Sequence, residues 1–313
     1  MYLQATGNSG TFMTTELLKT GKHVVTAITR ADSQIEPPEG VVVKKVDYDR
    51  PASLVEALRG QDALVITLGG MAPPDIQPKL IQAACDAGVP WILPNEWSPD
   101  TAHEGLCQDV QFFGAKRAVR DRFAELPECS YIAVVTGFWY EWMLGMGAMT
   151  FGFDFANRAV TLFDDGETAI SLSTWPQVGR AVAALLSLPI QPEDGAEERC
   201  LAYLKNKVVY IKSFTVSQKD MLDSALRVTH TTLEDWTVSK EPAQQRYRQG
   251  LEAAQKGDRT GFAKAMTTRV FFSDGAGNHE KTKGTSNDLL GLPEESIDEA
   301  TERAIERART PHG

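Results

Sequence analysis

Through about the first 136 residues, short apolar runs alternate with segments in which apolar residues recur every three or four positions. The runs predict strands and the recurring spacing predicts helices. The predicted strands are 2–5, 23–29, 41–46, 63–67, 91–93 and 131–135, and the predicted helices are 11–18, 51–58, 78–88 and 114–124. Strands separated by helices indicate right-handed βαβ units and a doubly wound parallel sheet. A ligand is expected at the carboxyl ends of these strands, where their order reverses.

The second half has a different pattern, with fewer strands and longer helices. It predicts a hairpin of 159–163 and 168–172, a helix 178–186 opened by Trp175, and a strand 208–211. A capping box at Ser217 and Asp220 precedes a predicted helix 221–228, and further helices are predicted at 243–256 and 261–271. The polar loop 273–287 is either a mobile lid or a disordered connection, and the last helix, 294–309, is expected to be solvated. We therefore predict an α/β fold, with a Rossmann domain at 1–155 and a smaller α+β substrate or lid region at 156–313, interleaved with the first.

Composition narrows the function. The 313 residues include 32 Lys and Arg and 42 Asp and Glu, which gives a net charge of −10. This negative charge disfavours a nucleic-acid partner. The four cysteines lie far apart and are expected to be reduced thiols of a cytoplasmic protein. The first residues do not resemble a targeting peptide, and glycines interrupt the apolar stretch 131–153, so we expect no membrane insertion. The histidines lack metal-ligand spacing, and no metal is expected.

The turn after the first predicted strand carries the sharpest chemical signal. It reads Ala5-Thr6-Gly7-Asn8-Ser9-Gly10, followed by Thr11 and Phe12 at the start of the first helix. Glycines let the backbone approach a pyrophosphate and let the helix pack closely on the sheet, and the first amides of the helix attract phosphate. The alternative is a tight strand-to-helix turn that binds no ligand.

The end of the second predicted strand bears on cofactor choice. Arg30 lies twenty residues after Gly10, and Ser33 follows shortly. A guanidinium suits the additional phosphate of NADP, whereas an acidic residue there suits the ribose of NAD. These residues favour NADP(H) over NAD(H), although Asp32 could repel the phosphate and Arg30 could be an ordinary surface residue.

Several segments resemble the NmrA-like and isoflavone-reductase-like atypical short-chain dehydrogenases. These are the glycine-rich turn, Leu93-Pro94-Asn95-Glu96-Trp97 with Lys116, Gly137-Phe138-Trp139-Tyr140-Glu141-Trp142, and 173–182. The resemblance implies a Rossmann domain that binds NADP(H), followed by a smaller substrate domain. Some members of the family reduce small aromatic or polyketide-like substrates, and others are redox-sensing regulators without turnover. With the turn, Arg30 and Ser33, the expected cofactor-binding residues are Asp47, Thr67, Leu68, Gly69, Pro94, Asn95 and Lys116.

Two positions depart from the family pattern. Gln4 replaces the first glycine of the usual Gly-Ala-Thr-Gly-x-x-Gly turn, where a side chain can crowd the backbone. Dehydrogenases of the wider superfamily use Tyr-x-x-x-Lys, and here Phe112 takes the place of the tyrosine and cannot donate a proton. The resemblance then leaves Lys116 as the general acid or base, or as an anchor for the cofactor ribose. Without the resemblance, Lys116 beside Arg117 and Arg120 would be taken for an exposed helix residue.

The remaining candidates would line a substrate pocket. Aromatic rings suit a flat apolar substrate, although core packing explains about half of them equally well. The expected pocket residues are Glu96, Trp97, Phe138, Trp139 and Tyr140, with Trp142 as a further aromatic candidate. The leading hypothesis is an NADP(H)-dependent oxidoreductase that reduces a small apolar carbonyl or conjugated C=C substrate. The alternatives are a regulator that binds the dinucleotide and a protein partner, and a degenerate scaffold that binds no dinucleotide.

Overall fold

The computed structural model describes residues 2–3, 7–34, 38–70, 72–193 and 195–310. The strands are β1 Tyr2–Leu3, β2 Thr26–Arg30, β3 Val42–Val46, β4 Ala63–Ile66, β5 Trp91–Leu93, β6 Ser130–Val135, β7 Phe138–Trp139, β8 Phe153–Asp154, β9 Ala159–Phe163, β10 Ile170–Ser173, β11 Lys207–Tyr210, β12 Phe214–Val216 and β13 Thr237–Glu241.

Helices connect and cover these strands. They are α1 Asn8–Lys19, α2 Pro51–Leu58, α3 Ile76–Asp86, α4 Glu104–Asp109, α5 Gln111–Asp121, α6 Tyr140–Gly145, α7 Trp175–Leu186, α8 Leu201–Leu204, α9 Gln218–Thr229, α10 Ala243–Gln255, α11 Arg259–Arg269, α12 His279–Lys283, α13 Asn287–Leu290 and α14 Ile297–Arg309, with 3₁₀ helices at Arg122–Glu125 and Leu233–Asp235. Among the described residues, no helix is both long and apolar enough to span a membrane.

The main sheet has seven strands in the order β11-β6-β5-β4-β1-β2-β3, all paired in parallel. Because β1 lies between β2 and β4, the strand order reverses there, which confirms the doubly wound fold. Successive residues of β4 face opposite sides of the sheet, as a strand requires. Val65 joins the core under α1 and α7, whereas Leu64 and Ile66 join the core under α2 and α3.

Two small sheets lie outside the main sheet, in the orders β12-β10-β7 and β13-β9-β8. A third apolar core, rich in aromatic rings such as Phe113, Phe151 and Phe153, packs around them. Strand β11 returns to the main sheet and pairs with β6, so the chain crosses between the two parts. The boundary after residue 155 stays a prediction.

The predicted hairpin is wrong. Strand β9 pairs with β13 and β8, whereas β10 pairs with β12 and β7, so the two strands belong to different sheets. The Asp164 N–H continues the pairing with β13 by donating to the carbonyl of Glu241 at 2.9 Å. Alternation and turn residues look the same for a hairpin and for a chain that turns into another sheet, which is why the pattern misled.

The segment 273–287 is not a disordered connection, and its role as a mobile lid stays a prediction. It contains α12, where the His279 side chain is 1% exposed and Nε2 lies 3.0 Å from the carbonyl oxygen of Ile211. The Ser171 N–H donates to the carbonyl of Gly277 at 2.8 Å, which ties the segment to β10. The polar composition of the segment does not indicate these contacts, so the sequence alone did not predict them.

The last helix is packed rather than solvated. Ala300, Thr301, Ala304 and Ile305 are buried against α6 and α9. A Cβ on Gly145 of α6 would lie 2.7 Å from the carbonyl oxygen of Ala304, so the two helices approach closely. The sequence interpretation counted large apolar residues and overlooked the small ones that allow this approach.

The expectation of four reduced cysteines also differs from the structure. Cys85 at the end of α3 forms a disulfide with Cys129 just before β6, with a Cα–Cα distance of 5.5 Å. Cys107 and Cys200 are free. The paired residues are 44 positions apart, and their proximity comes from the alignment of α3 with β6.

Candidate functional site

The N-terminus of α1 lies directly beyond β1, where the strand order reverses. Gly7 is the N-cap in an extended conformation, and among the described residues no side chain caps the helix. The amides of Asn8, Ser9 and Gly10 therefore have no acceptor within the helix, and they concentrate positive partial charge there. The helix begins three residues earlier than predicted, so Asn8, Ser9 and Gly10 supply helix amides. Gln4, Ala5 and Thr6 lie outside the described residues.

A cavity of about 600 Å³ opens at this helix end. It brings together residues from four separate parts of the chain that the sequence analysis assigned to the cofactor. They are Gly7, Asn8 and Ser9 at α1, Thr67, Leu68 and Gly69 after β4, Asn95 after β5, and Lys116 on α5. The main-chain path explains the convergence, because the carboxyl ends of parallel strands meet at one edge of a sheet.

Asn95 holds two neighbouring strand ends together. Its side chain accepts a hydrogen bond from the Leu68 N–H at 3.1 Å and donates to the Leu68 carbonyl at 3.0 Å. Its own N–H donates to Gln77 Oε1 at 2.6 Å, and the Trp97 indole donates to the carbonyl of Ile66 at 2.7 Å. These bonds fix the cavity floor between β4 and β5.

Lys116 points its ammonium into the loop after β5. Nζ donates to the carbonyl oxygens of Asn95 at 2.5 Å and Glu96 at 2.7 Å, and it lies 5.1 Å from the centre of the Phe112 ring. Burial lowers the pKa of Lys116 to about 8, and the nearby Glu96 carboxylate opposes that shift. Among the described residues that line the cavity, Lys116 alone is charged.

The other half of the cavity is aromatic. Phe138, Trp139, Trp142 and Trp175 line it together with Phe112, Phe113, Met143 and Met266. Trp175 has ring contacts with Trp142 and Trp139, at centroid distances of 5.6 and 6.4 Å, and it stacks on Phe12 at 6.2 Å. The predicted Phe12 thus contacts the wall through Trp175 and does not itself line the cavity.

Two predicted pocket residues lie elsewhere. Tyr140 is fully buried in the aromatic core, and its hydroxyl lies 2.8 Å from Thr301 Oγ1. The Glu96 side chain turns away from the cavity, is 1% exposed, and accepts hydrogen bonds from Arg120 and Thr101. Both belong to runs in which neighbouring residues face opposite directions, and the sequence alone did not show which ones face the cavity.

Sequence reasoning named Trp142 as an aromatic candidate and missed Trp175 and Met266 as wall residues. Trp175 stood in a segment that carried the family resemblance, and its indole ring was the available signal. Met266 lies on α11, more than a hundred residues from the other wall residues in α5 and α6, and no local pattern could have placed it there.

The other residues that were predicted to bind the cofactor lie outside the cavity. Arg30 ends β2 with an exposed side chain 3.7 Å from Asp32, and the Ser33 N–H donates to the Arg30 carbonyl at 3.1 Å. Asp47 follows β3 and accepts from the Asp49 N–H at 3.0 Å, and the Pro94 carbonyl accepts from the Glu96 N–H at 2.7 Å. Arg30 and Ser33 share the carboxyl edge of the sheet with the cavity. Gly10 and Thr11 lie within the first turn of α1.

Residues 5–94 match a family model described as NAD(P)H-binding. This region contains the glycine-rich turn and the strand ends that border the cavity. The cofactor predicted from the sequence, NADP(H), agrees with this match.

The chain is 27% identical over 301 residues to the oxidoreductase aprR of Aspergillus flavus, covering 94% of each chain. It is 28% identical over 239 residues to an isoflavone reductase homolog of Zea mays, covering 71% of this chain and 72% of that one. A crystal structure of isoflavone reductase superposes with a TM-score of 0.74 at 17% identity, covering 96% of this chain and 97% of the other. Residues 5–94 are thus similar to an NAD(P)H-binding family, and the whole chain has the fold of isoflavone reductase and resembles an oxidoreductase and an isoflavone reductase homolog in sequence.

Proposed function

We propose that the protein is an NADP(H)-dependent reductase of a small, mostly apolar substrate with a carbonyl group or a conjugated C=C bond. The observation that supports this most directly is the composition of one cavity. A helix N-terminus suited to phosphate, the side chain of Lys116 and an aromatic wall all border the same space.

The residues at the sheet edge suit the cofactor. The amides of Asn8, Ser9 and Gly10 would hold the pyrophosphate, and residues 67–69 would border a ribose. Arg30 and Ser33 would hold the 2′-phosphate, because an exposed guanidinium can give bidentate hydrogen bonds to phosphate oxygens. When bound, NADPH supplies a hydride to the substrate.

Lys116 would supply the proton. An ammonium has three donors, and two of them are directed to the carbonyls of Asn95 and Glu96, which leaves one for the cavity. A pKa of about 8 keeps the group protonated at neutral pH while making it a better acid than an ordinary lysine. Phe112 contributes apolar surface beside it and no proton.

The test of Lys116 compares Lys116→Met with the control Arg117→Gln, which changes a neighbouring, partly exposed cation paired with Asp121. NADPH oxidation is followed with aldehydes, ketones and enones, and NADPH binding is measured separately. We expect kcat to fall about 100-fold or more in Lys116→Met, as for the loss of a general acid. NADPH affinity should change little, and Arg117→Gln should behave like the wild type. Unchanged turnover in Lys116→Met would contradict the assignment.

The preference for NADPH is tested by Arg30→Ala, with Arg59→Ala as the control because Arg59 is also exposed and paired with a carboxylate. Loss of charge-assisted hydrogen bonds should weaken NADPH binding about 10- to 100-fold and leave NADH binding unchanged. Calorimetric titration with both dinucleotides measures this. Equal loss for both would show that Arg30 does not recognise the 2′-phosphate.

A second candidate function is a redox-sensing regulator that binds the dinucleotide and a protein partner without turnover. Phe112 favours it, since the usual phenol donor is missing beside Lys116. NADPH binding with no consumption across the substrate panel would support this candidate. Failure to bind either dinucleotide would exclude both functions and leave a degenerate scaffold.

A further inference from the structure

One turn of α5 contacts the loop after β5 through two cations. Lys116 and Arg120 are four residues apart and therefore lie on the same face of the helix. The Lys116 ammonium binds the main-chain carbonyls of Asn95 and Glu96, while the Arg120 guanidinium binds the carboxylate of the same Glu96 at 3.1 Å. Glu96 is thus held at both its backbone and its side chain.

The ion pair is closed to solvent. The side chains of Glu96 and Arg120 are 1% and 7% exposed. Arg120 also donates to Thr101 at Oγ1 and at the carbonyl oxygen, and the Thr101 hydroxyl donates to Glu96. A buried ion pair with its hydrogen bonds satisfied fixes geometry strongly, because removing one partner leaves an uncompensated charge. The carbonyls that hold Lys116 belong to this fixed loop.

We propose that Glu96 and Arg120 are positioning residues for Lys116, whose buried pair holds the two carbonyls against the ammonium and balances the charge beside it. The positions of the cavity wall and of the Lys116 ammonium would then depend on the Glu96–Arg120 ion pair, which lies on the far side of the loop. The effect on the titration of Lys116 is independent of any reaction, whereas its use in catalysis rests on the proposed function.

The charges around this site determine the direction of each effect. The titratable groups near the pair are Arg120 and Arg117 on α5, Glu96 and Asp100 on the loop after β5, Cys107 on α4, Tyr131 on β6 and Tyr210 on β11. Tyr210 donates to Asp100 at 3.1 Å, and burial raises the pKa values of Cys107, Tyr131 and Tyr210, so these three stay neutral near pH 8. The pKa of Lys116 therefore depends on burial first and on the Glu96 carboxylate second, and Arg120 acts through its ion pair with that carboxylate.

Opposite substitutions should move Lys116 in opposite directions. Glu96→Gln removes an attracting carboxylate and leaves Arg120 uncompensated, so the pKa of Lys116 should fall. Arg120→Gln leaves the Glu96 carboxylate uncompensated, so the pKa should rise. In a partly buried site, a change of about one pH unit is expected in each case. Arg120→Lys, which keeps the charge, should stay close to the wild-type value.

The measurement is a ¹³C NMR titration of the cofactor-free protein, labelled with lysine carrying ¹³C at the ε carbon. The Lys116 signal is assigned by its loss in Lys116→Arg. Two controls separate charge from packing. Thr101→Val removes a hydroxyl from the network without changing charge, and Arg117→Gln removes a partly exposed cation from the same helix. Both should leave the titration midpoint within a few tenths of a pH unit of the wild type.

Opposite shifts in the two single variants, with recovery towards the wild-type midpoint in Glu96→Gln/Arg120→Gln, would support the proposal. Shifts of the same sign, or no larger than in Arg117→Gln, would overturn it. Folding is checked by circular dichroism, and if Glu96→Gln does not fold, the comparison of Arg120→Gln with Arg120→Lys decides the sign.

The pH profile of kcat separates this inference from the proposed function. If Lys116 is the proton donor, the decline of kcat with rising pH should move with the NMR midpoint in each variant. If the NMR midpoints shift as expected and the kinetic profile does not, the positioning role stands and Lys116 is not the acid. A merely structural role would lower activity without moving either midpoint.

Discussion

Two effects act in opposite directions on the pKa of Lys116. Burial of the ammonium group lowers the pKa, and the hydrogen bonds to two carbonyl oxygens raise it. The hydrogen bonds to Asn95 and Glu96 favour the charged form, yet burial is the larger effect and lowers the pKa to about 8. At neutral pH the lysine is still charged, and burying this charge lowers the free energy of unfolding. Such a cost is typical of sites where a charge serves a function.

This balance predicts how stability changes with pH. The folded pKa of about 8 lies below the value of about 10.4 for an unfolded lysine, so between these values the unfolded chain binds more protons. Wild-type stability should therefore rise relative to Lys116→Met from pH 8 to pH 10, by at most about 3 kcal/mol. Urea denaturation of both proteins across this range measures the difference. A constant difference would show that the pKa of Lys116 is not lowered by folding.

At the residue scale, the sequence predicted those cavity residues that belong to a turn or a strand end. Gly7, Asn8, Ser9, Asn95 and Lys116 follow directly from the βαβ pattern and the resemblance. Tyr140 and Glu96 were placed wrongly because the direction of a side chain in a short helix or loop depends on contacts distant in sequence. For Tyr140 that contact is Thr301 on the last helix.

Among the elements, the contact between α1 and α7 matters most for the cofactor end of the cavity. A Cβ on Gly179 would lie 2.7 Å from the carbonyl oxygen of Phe12, which is backbone and cannot turn aside. Gly179 thus lets α7 lie against the first turns of the helix whose N-terminus borders the cavity.

Gly179→Ala should push the two helices apart. We expect a loss of about 1–3 kcal/mol of unfolding free energy, as in overpacked interiors, together with weaker NADPH binding. Gly105→Ala is the control, since its added Cβ meets its nearest neighbour at 3.4 Å, an ordinary contact, within helix α4. Denaturation and NADPH titration measure both quantities. Wild-type stability and affinity in Gly179→Ala would contradict this view of the interface.

The strands and helices of the first half were predicted well because apolar residues recur at a different spacing in a strand and in a helix. Helix α2 and strand β5 have the predicted bounds, and the capping box at Ser217 is present with both hydrogen bonds. The second half was harder, since its two small sheets join strands far apart in sequence, as β9 with β13. Local periodicity carries no information about such partners.

Across the whole molecule, the Cys85–Cys129 disulfide ties a helix to the sheet it covers. It closes a loop of 44 residues, for which the chain-entropy model gives about 4 kcal/mol. A denatured, non-reduced sample should therefore show two reactive thiols, Cys107 and Cys200. Cys85→Ser/Cys129→Ser should unfold at lower denaturant concentration, whereas Cys107→Ser should change stability little. Four reactive thiols in the denatured sample would contradict the pairing.

Trp175 contacts both functional halves of the molecule. Its ring meets Phe12 on the helix that borders the phosphate end, and it also meets Trp142. The guanidinium of Arg307 lies 3.9 Å from the centre of the Trp142 ring. An indole in this position is a built-in optical probe. The part of the tryptophan emission that Trp175→Phe removes should respond to a nucleotide arriving on one side and to an aromatic compound arriving on the other, so both events can be followed without attaching a dye.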